Sequence, residues 1–358
     1  MKISEFNYNL PNELIAAHPV EPRDSARMLV MDRASGALTD KHFTDLPEIL
    51  RPGDVLVFND SKVIPARLQA TVIASEARQS SSRSFEVLLV KNLEGSTWEC
   101  WVKPGKKAKT GDIFQFSDKL SAEFIRRDDD IFILKFNLDG PAFFSELGKI
   151  GEMPVPPYIL KARHEKHDEV VDKDDYQTVY ARAEGSVAAP TAGLHFTAEL
   201  LERLRERGVH LEYVTLHVGL GTFQSVTAEN IEDFQIHSEY YEISPETAMR
   251  LNDAKREGRR VIAVGTTTVR VLESAAKNCE PCRTAAILPS SGETNIFIYP
   301  GYTWRFVDGM ITNFHMPQSS LLLLVSAFAG TNNIRNAYDY AVENKYRFYS
   351  YGDGMVII

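Results

Sequence analysis

A chain of 358 residues is long enough for about two domains and a large core. Its hydrophobic fraction of 44% and charged fraction of 25% are ordinary for a soluble globular protein. A net charge of −9 excludes recognition of nucleic acid by overall charge, so such a partner would have to be met by a local basic patch. Three cysteines, an odd number, argue against a disulfide framework and fit a reducing cytoplasm.

The start, MKISEFNYNLPNEL, has no apolar run of the signal-peptide kind. Residues 26–43 read as a hairpin turning at Ser35 and Gly36. After the turn RPGD, residues 55–58 form a continuous apolar run, as expected of a strand covered on both faces. Asn59 and Asp60 follow, where turn formers also line ligand sites at strand ends. Between residues 61 and 150, β-rich runs recur at 67–73, 85–90, 98–102, 113–116, 122–125 and 131–136, the spacing of a small barrel. Residues 75–84 (SEARQSSSRS) read as a protruding hairpin tip. Lys103, Lys106, Lys107 and Lys109, on a Gly-Pro turn, make the best basic patch in an acidic chain.

From residue 151 an α/β pattern resumes, with a Pro-rich extended segment (GEMPVPPYI, 151–159) and then an exposed charged run at 161–175. The segment 185–197 (GSVAAPTAGLHFT) has neither helical nor strand periodicity; it is made of small residues with Thr191, His195 and Thr197 as its polar groups. Small residues let backbone approach a ligand closely, and Thr197 caps the amphipathic helix that follows at 198–207. A strand at 211–218 delivers His217 to the loop GLGTF (219–223), and His237 and Glu239 alternate with Ile236 and Ser238. A helix is expected over 247–257. The run 261–264, Gly265, Thr266, Thr267 and Thr268, with Arg270 on the helix beyond, form a strand-to-helix anion site that lacks the Walker element. Cys279 and Cys282 are a lone CxxC with no second pair, which does not define a zinc or redox site, and no other metal-ligand spacing stands out. A strand is expected at 296–299, then a lead through 306–311 to Asn313 and His315. The apolar run 321–328, far too short to span a bilayer, reads as a buried helix opened by Ser319 or Ser320. The aromatic tail 346–354 reads as core packing and a turn. If the sheet is largely parallel, Asn59, Asp60, His217, Thr266–Arg270, Asn313 and His315 converge on one cleft outside the strand ends.

Long segments then resemble one family. GSVAAPTAGLHFT, HVGLGTFQSV, IHSEYYEI, VIAVGTTTVRVLESA, TNFHMPQSSLLLLVSAFAG and YRFYSYGDG, with VFNDSKVIPARL and GEMPVPPYI, are similar to the S-adenosylmethionine:tRNA ribosyltransferase-isomerases of queuosine biosynthesis. The resemblance covers nearly the whole chain and departs from the family at 75–84 and around 279–292. It implies a multi-layer α/β domain (1–60 and 151–358) with a small β-barrel inserted at 61–150. It also implies the reaction. The ribose of S-adenosylmethionine passes to the aminomethyl group of a 7-deazaguanine at the wobble position of tRNA and becomes an epoxycyclopentanediol, while adenine and methionine leave. S-adenosylmethionine is thus a consumed ribosyl donor, with no permanently bound cofactor, and the partners are that donor and a tRNA, with no membrane and a monomer as the working expectation.

Such chemistry needs a base for the methylene proton beside the sulfonium and an acid for departing adenine, two groups of moderate pKa within hydrogen-bond reach. The candidates are His195, His217, His237 and His315, with Glu239 and Asp60 as carboxylates. Which is base and which is acid stays open in the sequence. Arg270 is the candidate clamp for a carboxylate or phosphate. Thr191, Thr266, Thr267, Asn59 and Asn313 are candidates for substrate oxygens, and Phe196, Phe223 or Phe314 for a sulfonium. The lysines at 103, 106, 107 and 109, joined by Lys161 and Arg163, are the candidate tRNA contacts. Two other classes remain as alternatives: an S-adenosylmethionine-dependent RNA methyltransferase, disfavoured because Gly219-Leu220-Gly221 is a lone GxG, and a non-catalytic RNA-binding protein.

Overall fold

The structure, a computed structural model, describes residues 1–73, 83–163, 169–219, 228–276 and 286–358. The expected tip at 75–84 (all but its last two residues), the GLGTF loop beyond Gly219, Phe223 and the CxxC lie outside the described residues.

The first strands, β1 (Arg27–Met31) and β2 (Leu38–His42), pair antiparallel across the turn at Ser35 and Gly36, as expected. A short helix α1 (Leu46–Ile49) leads into β3 (Val55–Asn59), every residue of which is buried. β4 (Ser61–Val63) then leaves the main sheet. Six strands follow: β5 (Arg67–Ile73), β6 (Arg83–Glu94), β7 (Thr97–Lys103), β8 (Ile113–Gln115), β9 (Ser121–Asp128) and β10 (Ile131–Phe136). They close a barrel in the order β10-β7-β6-β5-β8-β9, which removes sheet edges. Alternation supplies its core: in β7, Trp98, Cys100 and Val102 point in. Helix α2 (Gly140–Ile150) adds Phe143 and Leu147 to that core. The chain enters and leaves the barrel side by side, because Arg67 and Glu152 exchange both backbone hydrogen bonds (3.1 and 2.8 Å).

Two helices, α3 (Pro157–Arg163) and α4 (Glu169–Asp175), correct the reading of 151–175 as extended and then exposed. Arg163 and Asp172 are buried and paired at 2.5 Å, so Arg163 is not a surface contact for RNA. A charged run reads as solvated because pairing across helices leaves no local signal. β11 (Ala183–Ser186) pairs in parallel with β4. Thr197 caps α5 (Ala198–Glu206) by accepting from the Leu200 N–H at 3.1 Å. Then come β12 (His210–Leu216), β13 (Glu239–Ile243), α6 (Pro245–Arg256), β14 (Val261–Val264) and α7 (Thr266–Ala275).

β15 (Ser290–Thr294) takes the edge of the sheet in place of a strand at 296–299. Its polar SSGET has no alternation because an edge strand needs only backbone pairing, here with β13. Phe297 and Tyr299 instead pack at a tilt in an irregular connection, 5.2 Å between ring centroids. β16 (Gly309–Asn313) leads to α8 (Ser320–Ala329), capped by Ser319, and α9 (Thr331–Glu343). Tyr346, Phe348 and Tyr351 of the tail are buried, as expected, but the tail then continues as β17 (Gly354–Ile357) inside the sheet.

The main sheet runs β15-β13-β12-β3-β14-β16-β17-β1-β2. Its middle, β12-β3-β14-β16, is parallel throughout, and both faces are covered: α6 to α9 pack on one, α1 and α5 on the other. The carboxyl ends of these four strands therefore lie along one edge, which brings Asn59, His217, Gly265 and Asn313 together as expected. Among the described residues no helix is long and apolar enough to cross a membrane.

Candidate active site

Two environments meet at that edge. The first is a closed hydrogen-bonded network. Thr191 donates to Asn313 Oδ1 at 3.1 Å, and Asn313 Nδ2 reaches the Tyr349 carbonyl and His195 Nε2, each at 3.1 Å. His195 is buried and stacks flat on Phe43, 4.1 Å between centroids. Burial, helped by the positive charges of Arg347 and Arg23, pushes its pKa down to about 3. It is thus neutral, and Nε2 is the acceptor for the Asn313 amide. His315, also buried and lowered to about 3 by burial, hydrogen-bonds Thr312 Oγ1 at 2.9 Å. Thr191, Thr266, Thr267, Asn313 and His315 line a pocket of only about 30 Å³, room for a water and too small for a nucleoside. Close packing also holds the small-residue segment: a Cβ at Gly193 would run into the Tyr180 hydroxyl.

Asn59 and Asp60 are buried at the strand end, where they clamp neighbouring backbone and side chains. Asn59 bonds both the N–H and the carbonyl of Leu216 at 3.0 Å and donates to Thr267 Oγ1 at 3.3 Å. Asp60 accepts from Thr215 at 2.7 Å and pairs with Arg182. Arg270 is likewise not an open clamp. It lies buried against Glu239, whose Oε1 also accepts from the Gly219 N–H at 2.9 Å. Phe196 and Phe314 are fully buried in the core.

The second environment is a cleft of about 620 Å³ between the barrel and the sheet. Such a volume is that of a small-molecule site. Its sheet wall carries His217, His237, Glu239 and Tyr240; its barrel wall carries Trp101, Ile131 and Phe144. Val218 borders both this cleft and the small pocket, so the two are neighbours. His217 is half-buried between Tyr240, stacked at 5.7 Å, and Gly185, where a Cβ would come within 3.0 Å of the ring at φ +139°. Burial lowers its pKa, with Asp60 and Glu242 opposing the shift. Its Nδ1 is buried with no hydrogen-bond partner among the described residues. His237 is exposed at the cleft. Lys91 closes one end by pairing with Glu293 at 2.6 Å.

The structure thus separates the expected site residues. His217, His237 and Glu239 share the large cleft; Thr191, Thr266, Thr267, Asn313 and His315 share the small pocket; His195, Asn59, Asp60 and Arg270 stand behind them. Lys103, Lys106, Lys107 and Lys109 are all exposed, and Lys103 ends β7, whose Glu99 and Trp101 line the cleft. Sequence reasoning missed Trp101 and Tyr240, although Trp101 is two residues before Lys103 and so on the same strand face.

Fold and site together define an α/β protein whose polar cleft lies at parallel strand ends and is walled on its far side by a closed barrel. The family model described as queuosine biosynthesis protein matches residues 3–357, and the chain belongs to this family. Two curated relatives, each 48% identical over 100% of both chains, are the S-adenosylmethionine:tRNA ribosyltransferase-isomerases of Symbiobacterium thermophilum and Desulforamulus reducens. A solved structure, the S-adenosylmethionine tRNA ribosyltransferase of Thermotoga maritima, is 37% identical with a TM-score of 0.54, covering 99% of this chain and 100% of that one.

Proposed function

We propose that the chain is an S-adenosylmethionine:tRNA ribosyltransferase-isomerase. Full-length identity of 48% to relatives of that name carries the reading. The enzyme transfers the ribosyl moiety of S-adenosylmethionine to the aminomethyl group of a 7-deazaguanine at the tRNA wobble position and isomerises it, giving epoxyqueuosine. Adenine and methionine leave, so S-adenosylmethionine is spent as a substrate in the cytoplasm. In this reading residues 1–60 and 151–358 are one discontinuous α/β domain and 61–150 the inserted one.

The cleft suits this chemistry. A lowered pKa keeps His217 neutral near pH 7, as a base for the methylene proton requires, and the Gly185–Tyr240 sandwich fixes its ring plane. His237 is the second titratable group on that wall. Glu239, held by Arg270, keeps a carboxylate at the wall facing a cationic sulfonium. Thr266 and Thr267, beyond Val218, offer hydroxyls to donor oxygens at the inner end, which Thr191 and Asn313, already bonded to each other, bound and hold in shape. Lys103, Lys106, Lys107 and Lys109 contact tRNA phosphates. The test is to incubate the protein with S-adenosylmethionine and tRNA carrying the aminomethyl-deazaguanine. Adenine plus methionine is the expected product pair. S-adenosylhomocysteine would instead make it a methyltransferase, and tRNA binding without turnover a binding module.

A further inference from the structure

Strand β7 presents alternate residues outward: Thr97, Glu99, Trp101 and Lys103. Of the three tryptophans, two are accounted for by the fold. Trp98, almost wholly buried, packs on Phe143 in the barrel core, with centroids 5.5 Å apart, and borders the cleft from behind. Trp304 donates to the Ala327 carbonyl at 3.0 Å and packs edge-on against Phe328. Trp101 has neither a ring contact nor a hydrogen bond with any described residue, yet it is half-buried at the cleft wall opposite His217. Trp101 packs against the barrel core on one side and lines the cleft, and a large aromatic so placed, its N–H without a hydrogen bond among the described residues, is a binding anchor in waiting.

Charge says what it would bind. Lys103 is the next outward residue, roughly 7 Å along the strand from Trp101. Exposed Lys106, Lys107 and Lys109 follow, and the exposed Arg83 guanidinium joins them by donating to the Lys107 carbonyl at 3.3 Å. None of these five cations has an ion-pair partner among the described residues, in a chain of net charge −9. Glu99, Glu184, Glu239 and Glu293 line the cleft interior, three of them paired with Lys62, Arg270 and Lys91, so Lys91, the lysine among the described lining residues, is not free for a phosphate. A polyanionic backbone is therefore drawn to the rim, where the unpaired cations stand, rather than to the interior.

We infer that the outer face of β7 is a track for single-stranded RNA, with Trp101 as the platform on which the reacting base stacks and the cations from Lys103 to Lys109 holding the adjoining phosphates. This deepens the tRNA reading and rests on it. The arrangement of aromatic platform beside a basic groove is how barrel surfaces hold unpaired nucleotides.

The test uses the full-length protein and tRNA carrying the aminomethyl-deazaguanine. Trp101→Ala should weaken tRNA binding about 5- to 100-fold, Trp101→Phe should restore it to within about threefold, and the KM for S-adenosylmethionine should not move in either. The tRNA should quench tryptophan fluorescence in the wild type, and Trp101→Phe should abolish the quench although Trp98 and Trp304 remain. Binding by Trp101→Ala within twofold of the wild type, or a quench that persists in Trp101→Phe, overturns the inference. Wild-type protein that binds and quenches but releases no adenine sinks the enzymatic reading and leaves the track standing. Normal turnover by both variants at limiting tRNA sinks the track alone, and wild-type protein that does not bind tRNA sinks both.

Discussion

The small pocket and the large cleft lie side by side on one sheet edge, and both contain histidine, yet they are opposite in kind. At the pocket, Thr191 and Asn313 bond each other and Asn313 also holds His195 behind them, while His315 bonds Thr312. In the cleft, His217 Nδ1 lacks a partner among the described residues and Trp101 lines the wall without a hydrogen bond to any of them. A saturated network is rigid and positions what it touches; an unsaturated wall still has bonds to make with a substrate. Proximity to a strand end therefore does not by itself mark a catalytic histidine.

The comparison breaks most clearly at His217. His217→Gln should lower adenine release by about 100- to 10,000-fold, with tRNA and S-adenosylmethionine binding within a few-fold. A drop of less than about threefold would move proton transfer out of the cleft. Next in size is Glu239→Gln, which leaves the Arg270 charge buried and uncompensated and should cost about 3–5 kcal/mol in denaturant unfolding. If Glu239→Gln/Arg270→Met is no more stable than the single variant, the pair is not what holds that wall.

Acid sharpens the contrast. His195 and His315 have folded pKa values near 3 against an ordinary 6.5, so below about 6.5 the unfolded chain takes up protons that the folded chain refuses. Their contribution is complete above that pH and is lost as pH falls toward 3, by up to about 1.4 kcal/mol per pH unit for each. Urea unfolding at about pH 7.5 and about pH 5.5, a window in which ordinary carboxylates stay ionised, should show the loss, and His195→Asn should reduce it. Equal stability at both pH values would mean that the network admits the proton. The smallest effect is at the rim. Lys106→Glu with Lys107→Glu should weaken tRNA binding about tenfold and flatten the salt dependence by about 0.7–0.9 in log–log slope for each phosphate no longer neutralised. Unchanged affinity and slope would take the RNA off this turn.

Much of the fold was legible because its signals are local. The barrel strands alternate, β3 and β14 are unbroken apolar runs between turn residues, and Thr197 and Ser319 stand where caps belong. β17 was not legible, since GMVI after a turn-rich tail is too short to show a period, and β15 was not because an edge strand can be polar. The ion pairs Arg163–Asp172 and Arg270–Glu239 join residues whose partnership exists only in three dimensions. The strand-end residues of the site were legible for the same local reason as the strands. The division between them was not: His195, His217 and His315 look alike in sequence, and what separates them is Phe43 and Asn313 around one, Thr312 beside another, and an open barrel wall across from the third.

The bridge between Arg67 and Glu152 has a topological consequence. Because the two crossing points of the barrel are hydrogen-bonded neighbours, the sheet meets the insertion as though it were a tight hairpin, whatever its length. Lengthening, trimming or exchanging the barrel beyond that bridge changes the loop-closure entropy of the host only logarithmically. The sheet can thus tolerate a different barrel as a scaffold, while the cleft cannot, since half of its lining comes with the barrel. Substrate reach and scaffold stability are placed on separate parts of the chain, free to vary independently.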